Sequence, residues 1–125
     1  MADMTLDEAI HHFAPLDPNT NFAPDLCKAA GGSLTDALNA VAIRVAELYM
    51  QGELDFNGAD SIASRLFGYV TAVSDLQKMP EPMYAIFLAF DAGGYPRKED
   101  SPDTEPADKY TKPMLREVFA SRAAI

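Results

Sequence analysis

Apolar residues recur at helical spacing over residues 33–51, and this run constrains the fold more than any other feature. Intervals of four and three place one set on a single helix face: Leu34, Leu38, Val41, Val45 and Leu48. Ser33 or Thr35 can cap the start of this helix. Gly52 is a natural stop, because glycine readily takes the left-handed conformation that closes a helix. The spacing therefore predicts a long amphipathic helix.

A second periodic run follows Asn57, which we expect to cap its helix, with Asp60 in the first turn near the positive end of the helix dipole. The apolar positions of this run share one face: Ala59, Ile62, Leu66, Tyr69 or Val70, Val73 and Leu76. Two long amphipathic helices joined by a short link should pack as an antiparallel hairpin.

The segment before this hairpin is predicted to be less regular. Thr5 and Glu8 fit a capping box, which predicts a short helix that ends before Pro15. Its core-facing residues would be Leu6, Ile10 and Phe13. Residues 15–32 are rich in Pro, Asn and Gly, so we expect an irregular stretch with at most one helical turn, at residues 26–30.

Residues 83–90 are apolar on every side, so periodicity alone permits either a helix or a buried strand. Ala85, Ala89 and Ala92 favour the helix, and Gly93 and Gly94 would end it. An acidic, Pro-punctuated loop is predicted over residues 93–108. It leads into a last helix capped by Asp108 or Thr111, with Pro113 in its first turn.

These elements predict an all-α fold, a bundle of about five helices in a single domain over residues 1–125. A chain of this length with 48% hydrophobic residues can bury a substantial core without a disulfide or a metal ion.

The formal net charge of −9 is unevenly distributed along the chain. Residues 80–108 carry seven acidic and two basic side chains, whereas residues 109–125 carry four basic side chains and one acidic one. Acidity of this degree argues against nucleic acid or an anionic membrane as the main partner, because phosphate groups would repel it. It permits a basic protein partner, and the alternative is that the acids serve only solubility.

No catalytic, metal-binding or cofactor-binding motif is recognisable, so we expect no enzyme, no metal site and no cofactor. His11 and His12 are adjacent, and adjacent residues on a helix do not form a ligand pair. Cys27 would need a base to act as a nucleophile. The loop acids lack the spacing of a calcium-binding EF-hand. Since the chain has one cysteine, no basic N-terminal signal and no apolar run near 20 residues, we predict a cytoplasmic protein.

Residues 79–115 follow a recognisable pattern: a Pro-rich entry, an apolar segment ending in Phe-Asp-x-Gly-x-Tyr, an acidic loop, and Lys-Tyr-Thr-x-Pro-hydrophobic. This part of the chain resembles small acidic bacterial immunity-type proteins, and it departs from their pattern at Gly94, where an acidic residue is expected. The resemblance implies a non-catalytic protein that neutralises a cognate toxin by binding it.

A basic toxin, such as a nuclease, could be approached by the acidic loop through electrostatic steering. The expected contact residues are six side chains of the loop and one on each side of it: Asp91, Tyr95, Glu99, Asp100, Asp103, Glu105, Asp108 and Tyr110. The competing hypothesis is a helical structural subunit of a homo- or hetero-oligomer, with a homodimer as one form and no inhibitory role.

Overall fold

The computed structural model describes residues 5–13, 23–72 and 76–123. Within these ranges the chain is entirely helical, which confirms the predicted all-α class. The helices are α1 (Leu6–Phe13), α2 (Ala23–Ala30), α3 (Leu34–Met50), α4 (Phe56–Ala72), α5 (Met83–Ala92) and α6 (Lys112–Ala123), the last preceded by a π-helical turn (Ala107–Thr111). This gives six helices in the described ranges, one more than the predicted five.

The α3–α4 hairpin forms the centre of the core, as its periodicity predicted. Ser33 caps α3 by accepting the Asp36 N–H at 3.1 Å, and Gly52 follows its end at φ +82°. The predicted cap of α4 was wrong: its start is capped by Asp55, whose Oδ1 accepts the Gly58 N–H at 2.7 Å. Both faces predicted to be buried are buried, apart from Leu34, Tyr69 and Leu76, which are half-buried, and Val73, which lies outside the described residues.

α1 and α2 pack on the side of this hairpin. The Glu8 N–H donates to Thr5 Oγ1 at 3.2 Å, as the predicted capping box requires. The Arg44 guanidinium of α3 holds both oxygens of Asp7 at 2.7 and 2.8 Å, and its proximity lowers the pKa of that carboxyl group. α2 is longer than the single turn predicted, and it buries Leu26 and Cys27. Residues 15–22, the first part of the predicted irregular stretch, lie outside the described part of the chain, as does the side chain of Phe13.

Residues 83–92 form helix α5, so the strand alternative is excluded. Its inner face buries Met83, Ile86, Ala89 and Phe90. The Phe90 ring meets Tyr49 and Phe56 at centroid distances of 5.3 and 5.9 Å, which joins the ends of three helices.

α6 returns antiparallel to α5 and buries Leu115 completely. It is entered through the π-helical turn, in which the Lys112 N–H donates to the Ala107 carbonyl. Pro113 has no N–H to donate to the carbonyl four residues earlier. In a regular α-helix its ring would also crowd that carbonyl. A wider turn just before Pro113 accommodates this mismatch, so the helical segment begins at Ala107, earlier than predicted. None of the helices in the described ranges combines the length and the apolar character needed to cross a bilayer.

Candidate functional site

The base of the acidic loop is fastened to the core by one buried hydroxyl. Thr111 Oγ1 donates to the Ala89 carbonyl at 2.6 Å, and Thr111 is fully buried. The Ala89 carbonyl lies in the last turn of α5. In a continuing α-helix it would accept the Gly93 N–H, but here that N–H donates to the Phe90 carbonyl. Thr111 therefore satisfies an acceptor that the helix end leaves without a partner.

Gly93 makes this close approach possible. A Cβ atom at Gly93 would lie 2.0 Å from Thr111 Oγ1 and 2.9 Å from the Ala107 Cα, and neither distance is tolerable. Its φ of −92° is open to any residue, so glycine is required here for space rather than for a left-handed backbone. The two ends of the loop thus meet in direct contact.

Residues 97–104 run through two consecutive turns. The Asp100 N–H donates to the Arg97 carbonyl at 3.1 Å, and the Thr104 N–H donates to the Ser101 carbonyl at 2.9 Å. Pro102 occupies the second position of the latter turn, where its fixed φ is favourable. Most of the backbone between Gly94 and Pro106 is therefore shaped by local hydrogen bonds despite its polar composition.

An arginine lies between two tyrosine rings at the centre of the loop. The Arg97 guanidinium carbon is 3.6 Å from the Tyr110 ring centroid and 4.4 Å from that of Tyr95. The same guanidinium donates to Tyr95 Oη at 3.3 Å. These cation–π contacts join the start of the loop to the π-helical turn that ends it.

Asp100 completes this arrangement from the opposite side. Its side chain is only 6% exposed, accepts the Tyr110 hydroxyl at 2.5 Å and is paired with Lys109 Nζ. The hydrogen bonds from Lys109 and Tyr110 lower the pKa of Asp100, and the bond to Asp100 raises the pKa of both partners. We refer to the five residues of this arrangement as the loop hub: Tyr95, Arg97, Asp100, Lys109 and Tyr110.

Around the hub, the remaining loop carboxylates point outward. Glu99, Asp103 and Glu105 are exposed, and no ion pair holds any of them within the described ranges. Asp108 is also exposed but is paired with Lys112 at 2.7 Å. The loop therefore leaves three carboxylates facing solvent without an ion pair, alongside one exposed lysine, Lys98.

The negative surface extends from the loop onto the helical bundle. Burial raises the pKa of Tyr49 on α3, and the carboxylates of Asp108 and Glu105 raise it further against the opposing effect of Lys112. On the neighbouring helices, burial and the carboxylate of Asp91 raise the pKa of Asp60. Loop and helix carboxylates thus lie close enough to the bundle to influence its ionisable groups.

The structure divides the eight predicted contact residues into two groups. Tyr95, Asp100 and Tyr110 are brought together in the hub, and only Tyr95, at 53% exposed, is widely accessible. The others lie outside the hub and are exposed: Asp91, Glu99, Asp103, Glu105 and Asp108. Asp100 is thus a residue that organises the loop, whereas sequence reasoning had grouped it with the presented acids.

Three residues of the site were missed from the sequence. Arg97 and Lys109 were counted only as charges, and Thr111 was considered only as a helix cap. The Lys-Tyr-Thr order was visible, but nothing local indicated that Arg97 would meet a ring thirteen residues later. That contact depends on the path of the whole loop.

The other reactive side chains form no comparable arrangement. Cys27 is buried, and desolvation raises its pKa to about 11, so its thiol is protonated near neutral pH. His11 and His12 are exposed on α1. Among the described residues, no group of three or more His, Cys, Asp or Glu side chains could hold a metal ion.

Comparison with known proteins yields no match: no protein-family model, curated protein sequence or solved structure is similar to this chain.

Proposed function

We propose that this chain is a non-enzymatic, acidic binding protein of the immunity type, which blocks a basic toxin in the cytoplasm. The loop over residues 93–108 is the binding surface. The observation that carries the proposal is the contrast between the closed loop hub and the three unpaired carboxylates held around it, Glu99, Asp103 and Glu105.

A preorganised loop binds at lower cost than a flexible one, because fewer side chains and backbone angles must be fixed on association. Here the two turns, the Arg97 sandwich and the Asp100 hydrogen bonds supply that organisation before a partner arrives. Unpaired carboxylates are the groups that attract a basic surface over distance and match its charges on contact.

Tyr95 is the aromatic anchor of this surface. It is the more exposed tyrosine of the hub, and its ring is held by Arg97. Tyrosine is enriched among the residues that dominate binding energy at interfaces. On a basic groove that ordinarily receives a phosphate backbone, the loop acids replace the phosphates and Tyr95 packs beside them, which excludes the substrate.

The proposal is tested with a variant that removes the three unpaired charges, E99Q/D103N/E105Q. Wild type and variant are immobilised in parallel, and basic proteins retained from the native cell extract are eluted with increasing salt and identified. A partner retained only by the wild type is then purified. We expect its association rate with the variant to fall about tenfold or more, because steering is lost, with a smaller change in dissociation rate.

The matched control is D25N/D36N/E53Q, which removes three exposed acids far from the loop in sequence and so changes the net charge equally. We expect it to retain the partner. If both variants lost the partner equally, net charge alone would explain its binding. If both retained the partner equally, the loop acids would have no role in binding it. Since the loop side chains are exposed, E99Q/D103N/E105Q should unfold within about 0.5 kcal/mol of the wild type. The control should lose about 1 kcal/mol, because Asp25 and Asp36 lie in the first turns of α2 and α3, and it should remain folded.

The second candidate function is a helical structural subunit of an oligomer. One observation favours it: α5 has apolar side chains on its outward side as well as on its buried side. The apolar faces of α3 and α4, by contrast, are occupied within the bundle. An oligomer that is stable with the loop acids neutralised, together with the absence of any basic partner, would favour this candidate.

A further inference from the structure

α5 is apolar on two opposite sides, and only one of them is in the core. The outward side presents four apolar residues in its first two turns: Tyr84, Ala85, Phe87 and Leu88. Leu88 is 38% exposed and is one of two large hydrophobic residues exposed in the described part of the chain, the other being Tyr95. A helix that is hydrophobic on all sides is normally covered on all sides.

The outward side of α5 is flanked by apolar groups from both neighbouring helices. Phe67 of α4 stacks on Phe87, with ring centroids 4.2 Å apart and planes 4° from parallel. On the other flank, an open groove of about 270 Å³ runs between α5 and α6. Its lining consists of Ala85, Leu88, Met114, Glu117, Val118 and Ser121. The lining extends over two turns of α6, from Met114 to Ser121, so the groove suits about two helical turns of an occupant, or roughly 10 Å.

The charged side chains that border this groove in the described part of the chain are acidic. Glu117 is the charged residue among the described lining. At the start of α5, the Glu81 carboxylate accepts the Ala85 N–H at 3.2 Å, and at the other end Asp91 is exposed seven residues after Tyr84, on the same side of the helix. An apolar strip with carboxylates at both ends and along one wall complements an apolar helix face bordered by cations.

The same charges disfavour a second copy of the chain as the occupant. Where a two-fold contact sets α5 against α5, Glu81 and Asp91 of one copy meet carboxylates of the other in either orientation. The formal net charge of −9 on each chain adds to that repulsion.

We infer that the groove between α5 and α6 binds the apolar face of a cationic amphipathic helix from a partner protein. The occupant places apolar side chains at helical spacing over Ala85 and Leu88, between Met114 and Val118, and its lysine or arginine side chains reach Glu117 and the acids at the ends of α5. This surface is distinct from the loop, and the inference holds whether or not the loop binds a toxin.

The probe is a fluorescent Leu/Lys peptide of about 18 residues with its leucines on one helix face. The matched peptide has the same composition and charge but a scrambled order with no apolar face. Binding of both to the full-length chain is measured by fluorescence anisotropy. We expect the amphipathic peptide to bind at least about tenfold more tightly, because only it can fill the groove.

Two variants locate the binding surface. L88S removes the exposed leucine of the groove, and Y95S removes the other exposed large hydrophobic, on the loop. We expect L88S to weaken the amphipathic peptide about tenfold and Y95S to weaken it much less, because the acidic loop attracts only the charges of the peptide, with L88M restoring affinity. Circular dichroism verifies that each variant is folded.

Three results would overturn the inference: equal binding of the two peptides, an unchanged affinity in L88S, or a wild-type dimer in sedimentation that L88S dissociates. The last would identify a second copy as the occupant. A loss of peptide affinity in Y95S but not in L88S would move the binding to the loop. Failure of the loop proposal would appear separately, in the E99Q/D103N/E105Q experiment.

Discussion

The inner side of residues 93–111 is buried and closely packed, whereas the outer side is exposed and carries unpaired carboxylates. On the inner side, Gly93, Ala107 and Thr111 are buried and in such close contact that one added carbon would not fit. On the outer side, Glu99 and Asp103 are exposed and touch no cation of the described chain. Different residues of one segment therefore fix its position on the core and present charge to solvent. Substitutions on the two sides should therefore have separable effects.

The strongest way to break the inner side is G93A. Its Cβ would overlap Thr111 Oγ1 and press on the Ala107 backbone, which cannot move aside as a flexible side chain can. We expect the free energy of unfolding to fall by about 3 kcal/mol or more, as measured by urea denaturation followed by circular dichroism.

The control is G94A, one residue further along. A Cβ there would approach the Asp91 carbonyl at 3.4 Å, which is ordinary contact, and Gly94 has no positive φ. We expect little change in stability. If G93A were as stable as G94A, the close approach of the two loop ends would be refuted.

T111V tests the buried hydroxyl with almost no change in shape. Valine leaves the Ala89 carbonyl without its donor in a dry environment. We expect a loss of about 1–3 kcal/mol in the free energy of unfolding, the usual cost of an unsatisfied buried polar group. T111S keeps the hydroxyl and should lose less than T111V. The reverse order would indicate that methyl packing matters more than the hydrogen bond.

D100N tests the loop hub, which lies between the buried inner side and the exposed outer side. It should have the smallest effect on the free energy of unfolding. The folded pKa of Asp100 is lowered from 3.8, chiefly by Lys109 and then by Tyr110. The stabilisation from this carboxylate is therefore fully present above pH 3.8 and is lost as the pH falls through the lower folded value. We expect the ring proton shifts of Tyr95 and Tyr110 to change in that acidic window in the wild type, and to be already altered at neutral pH in D100N.

The control for this titration is D7N. The pKa of Asp7 is also lowered, by Arg44, but that pair joins α1 to α3 and lies outside the loop. D7N should preserve the acidic transition of the two tyrosine rings. If D7N removed it and D100N did not, the transition would belong to the bundle and not to the hub.

Much of the bundle was predictable because its signals are local. The Ser33 cap, the Gly52 stop and the apolar stripe of α3 each depend on residues within a few positions of one another. The cap of α4 was mispredicted because Asp55 and Asn57 are both good capping residues, and the choice depends on where the chain turns. α2 was underestimated because the surrounding Pro and Gly residues outweighed the helix-favouring Leu26–Ala30 stretch, although Pro24 is tolerated in a first turn.

The site was predictable in composition but not in arrangement. The excess of acids and the tyrosines at both ends of the loop could be seen in the sequence. Which carboxylate is buried could not, because Asp100 and Asp103 have the same chemistry and differ only in what the folded loop brings near them. The uniformly apolar sequence of residues 83–90 also gave no sign of which side chains face the core: Phe87 is half-buried and stacks with Phe67.

The direct contact between the two ends of the loop has a consequence for how such a chain can diversify. A surface loop whose ends touch and are held by the core can vary independently of the helices, because it is anchored to them at its two ends. With Gly93, Ala107 and Thr111 kept, the exposed residues between the hub positions can be exchanged or recharged at little risk to folding. The chemistry of this surface can then change while the helical scaffold stays unaltered.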